Sequence, residues 1–238
     1  MKLKEVAIIL SPTFRSMAYL QKLTKNGMCP NFAIIMNSKD KKILGSIAKE
    51  NKHHFFEKFD DFKPVLDMHG IYYDEVNAEN CNDEKIIDII KHRKERYFIY
   101  TGGGILKEEI LSIGKKFIHV HPGLVPEYRG STCIYYSIIN DDKCGATAFF
   151  MAKDIDKGDI IARKTFRKPK ISNIDYEYDS YIRSSLLVDV IQGYIKHGRF
   201  SSKPQNLDKG ETYFIIHPVL KHLAILDCLK NEKRKNIP

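Results

Sequence analysis

The chain has 238 residues, which fits one large domain or one domain with a small appendage. Its hydrophobic fraction of 43% suffices for a sizeable core, and no stretch approaches the roughly 18–20 uninterrupted apolar residues of a membrane span. The formal charge of +9 admits anionic partners, but the excess is spread out, with local density at Lys164–Lys170 and Lys230–Lys235. No recognition motif or aromatic–basic platform accompanies it, so a nucleic-acid partner is not expected.

Glu5 to Leu10 reads as a first strand. No small-residue cleavage site follows this short apolar run, so a strand rather than a signal peptide is expected, and with it a cytoplasmic location. Ser11-Pro12-Thr13 is a turn with capping chemistry, and Phe14 to Asn26 fits a helix. Phe32 to Met36 reads as a second strand and Lys41 to Asn51 as a helix. Phe55 to Tyr73 has no clean period and reads as irregular. Asn82 to His92 places Ile86, Ile87, Ile89 and Ile90 at helical spacing. Tyr97 to Thr101 is a strand, broken by Gly102-Gly103-Gly104. Leu106 to Ile113 is a short helix with Gly114 just past its end.

The next strand, Phe117 to Val120, stops on His121-Pro122-Gly123, because proline cannot donate to a sheet ladder. Ala146 to Ala152 is a further strand, ending in the carboxylate-rich loop Asp154 to Asp159. Ile160 to Phe166 suggests another strand and Lys168 to Ile174 a loop. Tyr176 to His197 reads as a long amphipathic helix ending at Gly198. Thr212 to Ile216 is strand-like, and His217-Pro218 opens a helical segment, Val219 to Leu229.

Strands alternating with helices predict an α/β fold: a Rossmann-like, mostly parallel sheet with helices on both faces, plus a small C-terminal extension. The division expected is residues 1–165 for the main domain and 166–238 for the extension. The five cysteines are odd in number, irregularly spaced and without a CxxC, so neither a disulfide framework nor a zinc site is expected.

His121 falls at the carboxyl end of a strand, the edge where open α/β sheets bind ligands. His119 lies two residues earlier on the same strand face. Asp156 lies in the loop after the second strand of this stretch. An imidazole and a carboxylate in one crevice are the minimum equipment for proton transfer near neutral pH. Glycines 102 to 104 permit close approach of a ligand to the main chain, but they do not form a GxGxxG fingerprint. Ser11, Pro12 and Thr13 sit at the carboxyl end of strand one, near the same crevice. Arg129 reads equally as a structural group or a substrate contact.

The central stretch resembles the formyltransferases that use 10-formyltetrahydrofolate. The matching residues are His119-Val120-His121-Pro122, then Leu124-Val125-Pro126-Glu127-Tyr128-Arg129-Gly130, then Asp156-Lys157-Gly158-Asp159. Upstream, Thr101-Gly102-Gly103-Gly104-Ile105-Leu106 matches the loop bordering the folate pocket. The resemblance covers roughly residues 5 to 165. It implies direct formyl transfer from a folate nitrogen to an amine, with no metal. His121 sits on the family histidine and Asp156 on the family aspartate. His119 stands where the family has asparagine, whose work is to donate a hydrogen bond to the developing oxyanion; an imidazole can donate such a bond. The catalytic group implied is His119, His121 and Asp156. The folate pocket implied is Gly102, Gly103, Gly104, Leu106, Met151, Ala152 and Asp154, with Ser11, Pro12, Thr13 and Arg129 toward the substrate.

The length, and the tail from Gln205 to Leu229, resemble those of nucleotide-sugar N-formyltransferases. That implies a nucleotide-linked amino sugar as the small-molecule acceptor, with Tyr213 and Phe214 as flat surfaces and Lys164, Arg167 and Lys168 attracting phosphate. The alternatives are another amine, such as glycinamide ribonucleotide or an aminoacyl group, or a folate-binding protein without transfer activity. Neither a membrane nor a nucleic-acid partner is implied, and a homodimer through the C-terminal helix is compatible with the sequence.

Overall fold

The computed structural model describes residues 1–37, 56–57, 61–102 and 104–230. The helix expected over Lys41 to Asn51, and Gly103, lie outside the described residues. A seven-stranded sheet runs in the order β3-β2-β1-β4-β5-β7-β8. Its strands are β1 (Lys2–Leu10), β2 (Cys29–Asn37), β3 (Tyr72–Asn77), β4 (Tyr97–Tyr100), β5 (Lys116–His121), β7 (Lys143–Phe150) and β8 (Ile160–Arg167). The first five pair in parallel, β7 runs antiparallel to β5, and β8 runs antiparallel to β7. The sheet is therefore mostly parallel, as the alternation of strands and helices implied. Its inner strands read as near-continuous apolar runs because both faces are covered.

One face is covered by α1 (Phe14–Lys25) and α6 (Asp179–His197), which pack Leu20, Leu23, Ile182, Leu186 and Ile191 against Ile8, Ile118 and Val120. The other face carries α3 (Glu84–His92) and the short α4 (Glu108–Leu111), which bury Ile86, Ile90 and Ile110 against Ile9, Phe98 and Phe117. The expected boundary at residue 165 falls inside β8, and α6 completes one helical layer of the sheet.

Four elements depart from the sequence reading. The stretch expected to be irregular, Phe55 to Tyr73, contains α2 (Lys63–Met68) and the start of β3, the rest of which had no element assigned. β3 escaped the pattern because it is an edge strand whose side chains are mostly solvated, so no apolar alternation marks it. After β5, a short strand β6 (Tyr128–Gly130) and helix α5 (Cys133–Asp141) had no element assigned to them. The extension returns to β6: β9 (Glu211–Tyr213) pairs with it in parallel, and α7 (Pro218–Lys230) follows. Gly130 is required at this junction. Its φ is +96°, and a Cβ there would lie 2.2 Å from the Tyr213 carbonyl oxygen.

α7 buries Ala224 and Cys228 and leaves Leu220, Leu223, Leu226 and Leu229 exposed. No helix among the described residues is long and apolar enough to cross a membrane. The five cysteines are free thiols. No group of His, Cys, Asp and Glu among the described residues could hold a metal ion.

Candidate active site

A cleft of about 560 Å³ opens at the carboxyl edge of β4 and β5. His119 and His121 both line it, placed on one face of β5 by strand alternation. Asp156 lines it too, although β7 does not deliver it there directly. Because β7 runs antiparallel to β5, Phe150 pairs with Ile118 and Thr147 with His121. The end of β7 therefore lies below the crevice, and residues 151–159 fold back across the sheet to raise Asp156 to His121. Gly158 makes this fold possible: a Cβ there would sit 1.6 Å from the Phe150 carbonyl oxygen. The extension clamps the loop, since Gln205 Nε2 donates to the carbonyls of Asp156 (2.8 Å) and Gly158 (2.6 Å).

Asp156 has φ +53°, a left-handed conformation that aspartate tolerates better than most residues. Its Oδ2 accepts from the Gly130 N–H at 2.7 Å and faces His121 Nδ1 at 3.3 Å. His121 is buried, and its Nε2 lies 2.9 Å from the Tyr128 carbonyl oxygen. A carbonyl only accepts, so Nε2 carries a proton. Both nitrogens of this ring thus face acceptors, and a second proton arriving at Nδ1 would be shared with Asp156. Burial lowers the proton affinity of His121, Asp156 opposes that, and the Arg183 charge adds to the lowering.

His119 is held differently. Its Nδ1 lies 3.4 Å from the Tyr100 carbonyl oxygen, and its ring sits between those of Tyr100 and Phe149. Burial, then Arg183, Arg15 and His121, hold its proton affinity well below that of an ordinary histidine. The neutral ring carries its proton on Nδ1, toward the carbonyl, and leaves Nε2 with a lone pair. Nε2 is thus an available lone pair, although the lowered proton affinity makes the ring a weak base. The oxyanion-donor role expected at this position requires the opposite tautomer.

The folate-side residues named from the sequence separate into two groups. Gly104, Leu106, Met151, Ala152 and Asp154 line the cleft, where Leu106, Phe149 and Met151 form an apolar wall. Gly102 is not among the lining residues; a Cβ there would meet Ser11 Oγ at 2.6 Å. Ser11, Pro12 and Thr13 do not line it either. Their polar groups are used locally: the Ser11 N–H donates to Thr101 Oγ1 at 3.2 Å, and Thr13 caps α1 by accepting from the Ser16 N–H at 3.2 Å. Arg129 is buried beside the extension, where its Nη2 donates to the Gly210 carbonyl at 3.2 Å, away from the cleft.

Of the basic residues expected to attract phosphate, none lines the cleft. Lys164 pairs with Asp189 at 2.6 Å, and Lys168 with Asp142 and Asp227. The arginines at the cleft are instead Arg15 and Arg183. Arg15 had a usable signal, because it follows the Ser-Pro-Thr turn at the carboxyl end of β1. Arg183 had none; only the packing of α6 onto the sheet brings it there. The extension supplies one lip of the cleft, Thr212 to Ile215. That lip is tied down by the Ser131 N–H donating to the Tyr213 carbonyl at 2.8 Å and the Ile216 N–H donating to Thr132 Oγ1 at 2.9 Å.

The formyl transferase family model matches residues 4–177, and the chain belongs to that family. It is 25% identical over 198 residues to a methionyl-tRNA formyltransferase of Finegoldia magna, covering 79% of this chain and 64% of that protein. The chain thus spans less than two thirds of that relative's length, and 49% of a second methionyl-tRNA formyltransferase, from a Sulfurihydrogenibium species. The fold is shared with a sugar N-formyltransferase of a Shewanella species, at a TM-score of 0.58 and 20% identity, covering 94% of this chain and 87% of that one. It is also shared with HypX of Aquifex aeolicus in complex with tetrahydrofolic acid, at a TM-score of 0.57 and 12% identity, covering 96% of this chain and 34% of that one.

Proposed function

We propose that this protein transfers a formyl group from 10-formyltetrahydrofolate to the primary amine of a small acceptor, and that the acceptor is an amino sugar linked to a nucleotide. The observation that carries the reaction is the convergence of His119, His121 and Asp156 on one cleft of a formyl transferase chain. The cleft suits the donor: its volume is within the common range for ligand sites, about 300–1,000 Å³, and its wall of Leu106, Phe149 and Met151 suits a flat ring system. When bound, the donor supplies a formyl carbon whose carbonyl is open to attack by an amine and whose folate nitrogen departs.

The residues then divide the proton work. His119, neutral with Nε2 free, takes the proton that the attacking amine loses. The His121–Asp156 pair takes up a proton between Nδ1 and Oδ2 as the reaction proceeds and passes it to the leaving nitrogen. Gly130 N–H and the Tyr128 carbonyl fix the orientation of that pair, and the folded-back loop keeps bulk water from its buried side. General acid–base help of this kind contributes about 10²–10⁴-fold.

The sugar acceptor is supported by the lip formed by Tyr213, Phe214 and Ile215, which offers flat and apolar surface beside the reacting groups. Sharing a fold with a sugar N-formyltransferase agrees with it. The second reading is an aminoacyl group on tRNA, favoured by the sequence relatives. A formylation assay separates them. The protein is given 10-formyltetrahydrofolate with nucleotide-linked amino sugars, glycinamide ribonucleotide or charged initiator tRNA, and tetrahydrofolate release is read with the mass of each acceptor. Gain of one formyl group on a nucleotide-sugar is the expected outcome. Formylation of the tRNA alone would replace the acceptor, and donor binding without transfer to any amine would remove the activity.

A further inference from the structure

The two arginines at the cleft are bound into the protein in a way that leaves specific atoms unused. Arg15 spends Nη1 on the carbonyls of Thr101 (3.4 Å) and Gly102 (3.3 Å), and its Nε lies 3.9 Å from Asp179 Oδ2. Arg183 spends Nε on Asp179 at 2.9 Å and Nη1 on the Val120 carbonyl at 2.8 Å. The Arg15 Nε is buried without a hydrogen-bond partner, and its Nη2 has none among the described residues, whereas Arg183 also hydrogen-bonds Tyr19. Both residues line the cleft. One carboxylate, Asp179, stands between two guanidinium charges, and a net positive charge remains. The anchoring carbonyls belong to the ends of β4 and β5, next to His119 and His121. The cleft is therefore two-sided, with an apolar wall facing the loop 151–156 and a guanidinium wall reaching over the sheet edge from α1 and α6.

We propose that the Arg15–Arg183 wall is the anion subsite of the acceptor, binding an oxyanion, phosphate or carboxylate, that the substrate carries close to its reactive amine. Arg183 has Nε and Nη1 engaged and offers no two-nitrogen fork, whereas Arg15 keeps Nε and Nη2 without hydrogen-bond partners, the fork that grips an oxyanion. The ligand is therefore an oxyanion held by Arg15, with the Arg183 charge lining the same cleft. The fixed guanidinium groups lose little freedom on binding, which favours affinity. The identity of this anion as part of the acceptor rests on the formyltransferase reading; the presence of an anion site does not.

Calorimetric titration tests the subsite with inorganic phosphate, acetate and the stable folate 5-formyltetrahydrofolate as separate probes. The proteins are the wild type, Arg15→Gln and Arg183→Lys, with circular dichroism checking that each is folded. Arg15→Gln is the decisive variant, because Arg183 also supports Asp179 and Val120. The expected result is that phosphate or acetate binds the wild type and weakens by about tenfold or more in Arg15→Gln, while folate affinity changes less than about twofold. The tighter of the two anions names the group. A parallel loss of folate affinity would overturn the proposal by assigning the arginines to the carboxylates of the folate tail. Absence of binding by both anions, or binding indifferent to both substitutions, would overturn it outright. Anion binding without folate binding would leave the subsite standing and refute the formyl donor.

Discussion

The two histidines of the cleft come from one strand face, two residues apart, yet their surroundings differ. Around His121 every polar atom is engaged: Nε2 meets the Tyr128 carbonyl, Nδ1 meets Asp156, and Asp156 in turn takes the Gly130 N–H. Around His119 one nitrogen has a single contact, the Tyr100 carbonyl, and two arginine charges stand nearby. A ring held at both ends stores a proton in a fixed place; a ring held at one end, and kept neutral, can receive one. The contrast teaches that placement on a common strand face fixes where a side chain points, and that the carbonyls and charges around it fix what it can do.

The largest effect on this contrast comes from breaking the held pair. Asp156→Asn keeps the shape of the side chain and removes the charge that shares a proton with His121. Single-turnover formyl transfer is expected to fall by about 10²–10⁴-fold, with 5-formyltetrahydrofolate binding unchanged within about twofold. A rate within about tenfold of the wild type would show that the pair does not handle the proton. A smaller loss is expected at the open ring. His119→Asn installs an amide that can donate a hydrogen bond but accepts a proton poorly, so transfer should fall by about 10²-fold and lose its dependence on the His119 ionisation. Retention of the full rate would instead assign His119 to oxyanion donation, the role expected from the asparagine it replaces.

The role of His119 is where the sequence stopped being sufficient. The strand bearing His119 and His121 was legible because Pro122 and Gly123 end an apolar run, and the mostly parallel sheet was legible because helices alternate with strands. Asp156 was found from its motif and its loop, but the path by which that loop reaches His121 was not legible. A motif shows that residues belong together; the antiparallel direction of β7 and the fold-back at Gly158 are tertiary facts. The arginine wall was missed for the same reason. Asp179 and Arg183 form an ordinary i, i+4 pair on a helix, and nothing local announces that this pair lies against the carbonyls of β5. Conversely, Lys164 and Lys168 drew attention by their density, yet they are engaged in ion pairs away from the cleft.

The smallest effect is thermodynamic, and it sharpens the comparison without any catalytic assay. Burial lowers the proton affinity of both rings, aided at His119 by Arg183 and Arg15 and opposed at His121 by Asp156. In the unfolded chain both titrate near the ordinary value of about 6.5. Below that pH the unfolded state binds protons that the folded state does not, so stability is full above about 6.5 and falls as pH drops toward the depressed folded values. Each ring contributes a slope of at most about 1.4 kcal/mol per pH unit in that window. Denaturant midpoints measured between pH 7 and pH 5 should therefore decline, and His119→Asn should remove more of the decline than His121→Asn, because His119 has no carboxylate partner to offset its burial. A decline unaffected by either substitution would place the titrating group elsewhere, and a larger share removed at His121 would reverse the assignment of the more deeply depressed ring.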